Sequence, residues 1–133
     1  MNAFSLNTEQ NQLNKFFENV TSNQKSSIIA FLMAIGTGNI AELQFINQYT
    51  IILGIDKNNT LNRMKNFGKA GIISDLIGVE SKIKELMVII VQDFLSCNGI
   101  PNANQVNNAI ELFEKIGINQ MRYLEIVRMS KLI

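Results

Sequence analysis

The sequence predicts an all-α fold, a compact bundle of six to seven helices in a single domain over residues 1–133. One proline in 133 residues leaves few places where a helix must break. Apolar residues recur at three- and four-residue spacing, and strictly alternating stretches are few. The length is that of one domain, and 47% hydrophobic residues can fill one core.

The first three helices are predicted from apolar periodicity and from the residues that end each one. An amphipathic helix is expected over residues 8–20, with Thr8 as its N-cap. The next helix, residues 22–35, is apolar around most of its circumference and is expected to be deeply buried. Gly36 and Gly38 end it, and Asn39 caps a helix over residues 40–53. The polar side of that third helix is expected to hold Glu42, Gln44, Asn47 and Gln48.

The helical pattern is weak in the middle of the chain and stronger in its last third. Asp56 or Asn59 is expected to open a helix through Phe67, and glycines 68, 71 and 78 are expected to break the chain around one short helix. A strong helix follows over residues 82–95. The next begins near Pro101 and ends at Gly117. A last helix is expected over residues 119–133, with Asn119 as its cap.

Two segments of the chain resemble each other, at about residues 22–55 and 82–118. Each has an apolar helix, a turn containing Gly, an Ile and then an amphipathic helix. The two copies end alike, in Leu53-Gly54-Ile55 and Ile116-Gly117-Ile118. We therefore expect two pseudo-repeated αα-hairpins that pack face to face.

The composition argues against most catalytic and nucleic-acid-binding classes. The chain has no His, one Cys and a net charge of +1. Without His the commonest general base and metal ligand are missing, so neither enzyme activity nor a cofactor is expected. The basic residues Lys57, Arg63, Lys65 and Lys69 are expected to be a solvated helix face, and nucleic acid is not an expected partner. The start of the chain lacks signal-peptide features and no apolar run approaches the roughly 20 residues of a membrane span, so a cytoplasmic location is expected.

The hairpin pattern with its Leu-Gly-Ile ending resembles the TerB-like family, an all-helical domain associated with tellurite resistance. The resemblance covers roughly residues 22–118 and implies two pseudo-symmetric hairpins with an acidic or metal-binding site between them. This chain departs from the family pattern at the acidic positions. Thr37 and Asn98 stand where Asp would precede Gly, and Gln44 stands at the following acidic position, beside Glu42. In the second half Asn102, Asn104 and Gln105 are neutral. No metal binding is therefore expected, since a useful cation site needs several anionic oxygens.

Two acids and the cysteine are the remaining candidate groups. Asp93 lies in an apolar helix and is either a partly buried carboxylate or, as we favour, the solvent-facing edge of that helix. Glu42 and Asp93 are the weak candidates for any surviving metal site. Cys97 ends a helix, where the negative end of the helix dipole predicts a raised thiol pKa.

Two functions remain open from the sequence. The first is a non-enzymatic protein-interaction module of a bacterial stress or envelope-associated system, with homo-oligomerisation possible. Its contact residues would be neutral amides on the two amphipathic helices: Gln44, Asn47, Gln48, Asn104, Asn107 and Asn108. The alternative is a TerB-like stress-response protein that binds a ligand or metal ion at a degenerate site between the turns at residues 37–39 and 98–102.

Overall fold

The computed structural model describes residues 15–131, which form six α-helices and contain no β-strand. The helices, in chain order, are α1 (Ser22–Ile35), α2 (Ile40–Leu53), α3 (Lys57–Leu76), α4 (Ser81–Leu95), α5 (Ala103–Lys115) and α6 (Gln120–Lys131). The all-α prediction is confirmed for this part of the chain. The helix expected over residues 8–20 lies mostly outside the described residues, and only residues 15 and 16 of it are seen to be helical. No described helix has both the length and the hydropathy required to cross a membrane.

Five of the six described helices begin where a short polar side chain accepts hydrogen bonds from unpaired backbone N–H groups, and only α4, after Glu80, has no such side-chain cap. Thr21 and Gln24 form a reciprocal capping box at the start of α1. Asn39 and Asn119 cap α2 and α6 as predicted, since their side-chain oxygens accept from the Glu42 and Arg122 N–H groups. Of the two possible caps for α3, the chain uses Asp56.

Two of the helix ends share one backbone device. Gly54 and Gly117 have φ angles of 67° and 107°, which glycine adopts without the steric cost of a Cβ atom. The following Ile55 and Ile118 donate to carbonyls five residues back, at 3.2 Å and 2.9 Å. Both ends are therefore Schellman-type caps, which explains why the Gly-Ile pattern occurs at both positions.

The core is built on α1 and α4, whose apolar faces have the most neighbours to cover them. Helix α1 packs along α3, and α4 packs along α6. Helices α2 and α5 flank the two central helices, α1 and α4. The predicted deep burial of α1 is confirmed, because residues 26–32 and Ile35 are all buried. Aromatic contacts join the two halves of the chain: Phe31 lies 4.7 Å from Phe113, and Phe45 lies 5.4 Å from Phe94 between ring centroids.

Helix α3 contains the break that was predicted at Gly68, but not the one predicted at Gly71. The backbone leaves helical geometry at Gly68, with φ 60° and ψ −154°, so α3 is two helical segments joined by a kink, the second of which runs to Leu76. Gly71 therefore lies inside the helix and does not end it. The kink places the Cβ of Phe67 so close to residue 71 that a Cβ there would lie 2.4 Å away. Space, and not backbone freedom, is what requires glycine at position 71.

Substituting Gly71 with alanine is expected to destabilise the protein in spite of the higher helix propensity of alanine. The added Cβ must push Phe67 or the kinked backbone aside, which costs about 1–3 kcal/mol as overpacking does elsewhere. Gly78→Ala is the matched control, because a Cβ at that position meets nothing within 4 Å. Thermal denaturation of both variants checks the expectation, and equal melting temperatures would contradict it.

Candidate functional site

The carboxylate of Glu42 lies between the first turns of α2 and α5, at the place where the two predicted hairpins meet. Contrary to the prediction of an outward-facing side chain, Glu42 is only 2% exposed. Its Oε1 accepts hydrogen bonds from the Thr37 N–H at 2.6 Å, the Thr37 hydroxyl at 3.0 Å and the Gly38 N–H at 2.9 Å. Its Oε2 accepts from Gln105 Nε2 at 2.9 Å. The carboxylate is therefore buried with four donors around it.

These donors decide the charge state of Glu42. Burial by itself raises the pKa of the carboxyl group, because it removes water from the charged form. The hydrogen bonds from Gln105, Thr37 and Gly38 act in the opposite direction and together outweigh burial, so the pKa lies below its ordinary value of 4.5. Glu42 is thus a buried carboxylate that stays ionised at neutral pH.

Gln105 is the partner that the sequence analysis missed. Its amide nitrogen donates both to Glu42 and to the backbone carbonyl of Ile35 at 3.0 Å, and so ties α5 to α2 and to the end of α1. The sequence carries only a local signal at these two positions. Glu42 follows its cap Asn39 by three residues and Gln105 follows its cap Asn102 by three, a pattern in which the Glu or Gln side chain reaches back to its own cap and not to another helix.

Glu42 and Asp93, the two weak candidates for a surviving metal site, lie in different surroundings. Asp93 is exposed on α4, which confirms that it lies on the solvent-facing edge of the helix, whereas Glu42 is buried. Among residues 15–131 there is no group of three or more His, Cys, Asp or Glu side chains that could hold a metal ion. The oxygens of Glu42 already accept hydrogen bonds from the chain itself, and a cation would have to displace those donors.

Cys97 is half-buried near this centre. Its pKa is raised, as predicted, but the causes differ from the predicted helix end. Burial raises the pKa of the thiol, and the negative charge of Glu42 raises it further. A thiol in this setting stays protonated at neutral pH and is a poor nucleophile.

Two concave surfaces of the described chain lie away from Glu42. They have volumes of about 620 and 290 Å³ and share Phe16, Asn19 and Glu80 on their walls. Neither is lined by Glu42, Asp93 or Cys97. Neither of these two surfaces therefore brings the three candidate groups together.

The basic stretch on α3 is partly occupied by contacts within the chain. Arg63 pairs with Asp75 at 2.5 Å and lies over the Phe67 ring at 5.2 Å. Asp75 also accepts from the buried Ser27 hydroxyl at 2.5 Å, which joins α3 to α1. Lys57 donates to the Asn47 side chain at 3.1 Å. Arg63 and Lys57 are therefore half-buried and contribute to packing, whereas Lys65 and Lys69 are exposed, as expected of a solvated helix face.

The outer faces of α2 and α5 carry the amides predicted to contact a partner. Gln44 and Asn47 on α2 are exposed and Gln48 is half-buried. The amides on α5 are all exposed: Asn104, Asn107 and Asn108. The prediction missed the apolar residues that share the outer face of α2, because exposure of a large apolar side chain cannot be inferred from its type.

Those apolar residues make α2 unlike the other flanking helix. Ile40 is 75% exposed, Ile51 is 70% exposed and Leu43 is also exposed. The helix has one charged residue, Glu42, and that residue is buried. The solvent-facing surface of α2, which we call the α2 outer face (Ile40, Leu43, Gln44, Asn47 and Ile51), is therefore uncharged and partly apolar. On α5, by contrast, the exposed amides are followed by exposed Glu111, Glu114 and Lys115.

Comparisons with known proteins add no relative to this description. No family model, curated protein or solved structure matches the chain. The resemblance to the TerB-like family thus remains a prediction, and function must be argued from the residues and contacts described above.

Proposed function

We propose that this protein is a non-enzymatic protein-interaction module that binds its partner through the α2 outer face. The observation that carries the proposal is the exposure of Ile40, Leu43 and Ile51 on one side of a helix whose only charge is buried. Single exposed apolar side chains are common on protein surfaces and need no explanation. A line of them along one helix, with only amides between, is typical of a contact surface.

The amides suit this role because each can both donate and accept hydrogen bonds. Gln44 and Asn47 would give a partner directional contacts without the cost of burying a charge. We include the predicted contact residues on α5 in the proposal, as a polar continuation of the contact surface. They lie on the helix whose first turn is joined to α2 through Gln105 and Glu42.

The TerB-like arrangement of two pseudo-repeated hairpins is part of the same proposal. It is supported by the matching Asn caps of α2 and α5, by the matching Gly-Ile ends, and by an Asx cap directly after each of those ends, at Asp56 and Asn119. From the resemblance alone comes the further proposal that the module serves a bacterial stress or envelope-associated system.

A ligand- or ion-binding site is the second candidate function, and one observation favours it. Glu42 and Gln105 occupy equivalent positions after their caps and meet across the two hairpins. The resemblance places an acidic site between the two hairpins, although its acidic position on α2 falls at Gln44 and not at Glu42. Because the second half has Gln105 and not an acid, Glu42 forms a hydrogen bond with it, and two carboxylates do not face each other. A metal site that has lost one of its acids would have this arrangement.

The interaction module is tested by affinity capture with the full chain and two variants. The wild type is expected to recover a stoichiometric protein partner, which can be a second copy of the chain, from a lysate of the source organism. Leu43→Glu/Ile51→Glu is expected to lose that partner, since two charges would be buried in the contact. Asn58→Glu/Asn59→Glu, exposed at the start of α3, is the matched control and is expected to retain it. Recovery of the same partner by every variant would contradict the proposal for α2.

A further inference from the structure

The exposed residues of α2 are arranged symmetrically about the middle of the helix. Reading along the outer face, Ile40, Gln44, Asn47 and Ile51 are separated by four, three and four residues. An isoleucine stands at each end and an amide stands on each side of the midpoint. The order of residue types is thus the same in both directions along the helix.

We propose that the α2 outer face binds a second copy of this chain, with the two α2 helices antiparallel about a two-fold axis. This inference rests on the proposed function and names the partner. A two-fold axis brings the same surface of both subunits together, so each residue must suit the residue at its mirrored position. Here Ile40 would meet Ile51 of the second copy, and Gln44 would meet Asn47. Leu43 and the half-buried Gln48 form the flanking pair.

The charge distribution favours a second copy over a charged partner. A charged side chain near a two-fold axis would face its own like charge, and the α2 outer face has no charged residue. Asn47 already accepts from Lys57 at 3.1 Å through its Oδ1. Its NH₂ group thus remains to donate to Gln44 Oε1 of the second copy. An acidic or basic partner would find no charged side chain of α2 on this face, and the Lys57 ammonium beside it already donates to Asn47.

The spacing also fits the way two helices pack. Steps of four and three residues place side chains along one seam of a helix, as in antiparallel helix pairs. At 1.5 Å per residue the seam from Ile40 to Ile51 is about 17 Å long. A contact of this length is at the small end of specific interfaces, so we expect a reversible dimer with a Kd in the micromolar to millimolar range.

Charge-exchange variants test the pairing directly. Sedimentation velocity of the full chain from about 10 μM to about 1 mM is expected to show a concentration-dependent dimer. Gln44→Glu/Asn47→Glu and Gln44→Lys/Asn47→Lys each place like charges across the axis, so each alone is expected to raise the dimer Kd by at least about tenfold. An equimolar mixture of the two is expected to dimerise again. Asn62→Glu/Asn66→Glu, at exposed positions of α3, is the matched control and is expected to dimerise as the wild type does.

Disulfide trapping tests the orientation. In a Cys97→Ser background, an equimolar mixture of Ile40→Cys and Ile51→Cys chains is expected to form a mixed disulfide faster than either variant forms a disulfide with itself. Faster self-linking of Ile40→Cys would indicate parallel helices and overturn the proposal.

Two further outcomes would also overturn it. The first is a wild type that stays monomeric at about 1 mM. The second is a dimer that none of the α2 variants affects. If the wild type is monomeric but a different captured protein is lost with Leu43→Glu/Ile51→Glu, the dimer is wrong and the interaction module stands. If neither self-association nor such a partner is found, both fail.

Discussion

Glu42→Ala is expected to lower the free energy of unfolding by about 2–4 kcal/mol, one of the two largest effects predicted for this chain. The substitution removes the acceptor of four hydrogen bonds and leaves the Gln105 amide and the Thr37 and Gly38 N–H groups without it. Part of the loss is offset, because residues 37 and 38 are exposed and their N–H groups can turn to water. For a domain of this size the melting temperature should fall by about 10 °C.

The conservative variant Glu42→Gln separates the charge from the hydrogen bonds. Its amide oxygen can still accept from Thr37 and Gly38, but its NH₂ group would face the NH₂ group of Gln105. If Gln105 turns its oxygen to the new amide, the Ile35 carbonyl loses its donor. We expect a loss of about 1 kcal/mol, between wild type and Glu42→Ala. Gln44→Ala, on the exposed side of the same helix, is the control and should change little. An unchanged melting temperature for Glu42→Ala would show that the contacts do not stabilise the fold.

The same contact predicts the acid sensitivity of the protein. The pKa of Glu42 is lowered in the folded state, so its contribution to stability is present above the ordinary carboxyl value of 4.5 and is lost as pH falls through the folded-state pKa. Glu42→Gln has no such group. The stability difference between the two proteins should therefore narrow as pH falls from neutral into the acid range. Denaturant unfolding of both proteins at several pH values measures this difference. A difference that does not change with pH would contradict the lowered pKa of Glu42.

Gln105→Glu is expected to be the second large effect, because it puts a second carboxylate within hydrogen-bonding distance of Glu42. In the wild type Gln105 Nε2 lies 2.9 Å from Glu42 Oε2 and 3.0 Å from the Ile35 carbonyl oxygen. An ionised oxygen there meets two acceptors and no donor, so the variant should lose about 3–5 kcal/mol at neutral pH. Two carboxyl groups at this separation share a proton, which raises the pKa of the pair. Stability should thus return at acid pH and be lost as pH rises through the raised value.

This variant also separates the two candidate functions. A divalent cation would relieve the repulsion between two carboxylates, so Ca²⁺ or Mn²⁺ is expected to raise the melting temperature of Gln105→Glu at neutral pH. Asn104→Glu, exposed one residue earlier, carries the same added charge and should not respond. If neither cation stabilises Gln105→Glu, the Glu42–Gln105 pair is a hydrogen bond with no remnant of an ion site, and the second candidate function loses its support.

The helices and their caps could be predicted from the sequence because they depend on neighbouring residues. Asn39 and Asn119 were identified as caps because they precede apolar periodic segments, and Gly54 and Gly117 as ends because of their position. Gly71 could not be assigned in this way, since the approach of Phe67 depends on a kink three residues earlier. Local sequence patterns were therefore sufficient to predict most helices and their caps. They could not predict the close approach of Phe67 to residue 71, which depends on the kink at Gly68.

Glu42 shows why the candidate site was harder to predict than the fold. Residues 42, 46, 49 and 53 share one side of α2, so spacing placed Glu42 on the buried side while its charge argued for the outside. Burial is favourable only because donors arrive from the Thr37–Gly38 turn and from Gln105, which is 63 residues away in the chain. The capping pattern indicated the first of these, and no pattern within one helix could indicate the second.

The pairing of α1 with α3 and of α4 with α6 has a consequence for the order in which the chain folds. Each pair lies within about half of the described chain, so each half can close its own contacts without waiting for the other. The hydrogen bonds of Gln105 to Ile35 and Glu42 span the two halves and form only when both are in place. On a ribosome, α1 through α3 would be able to collapse before α5 has been synthesised, and the Gln105 side chain would then join two preformed units.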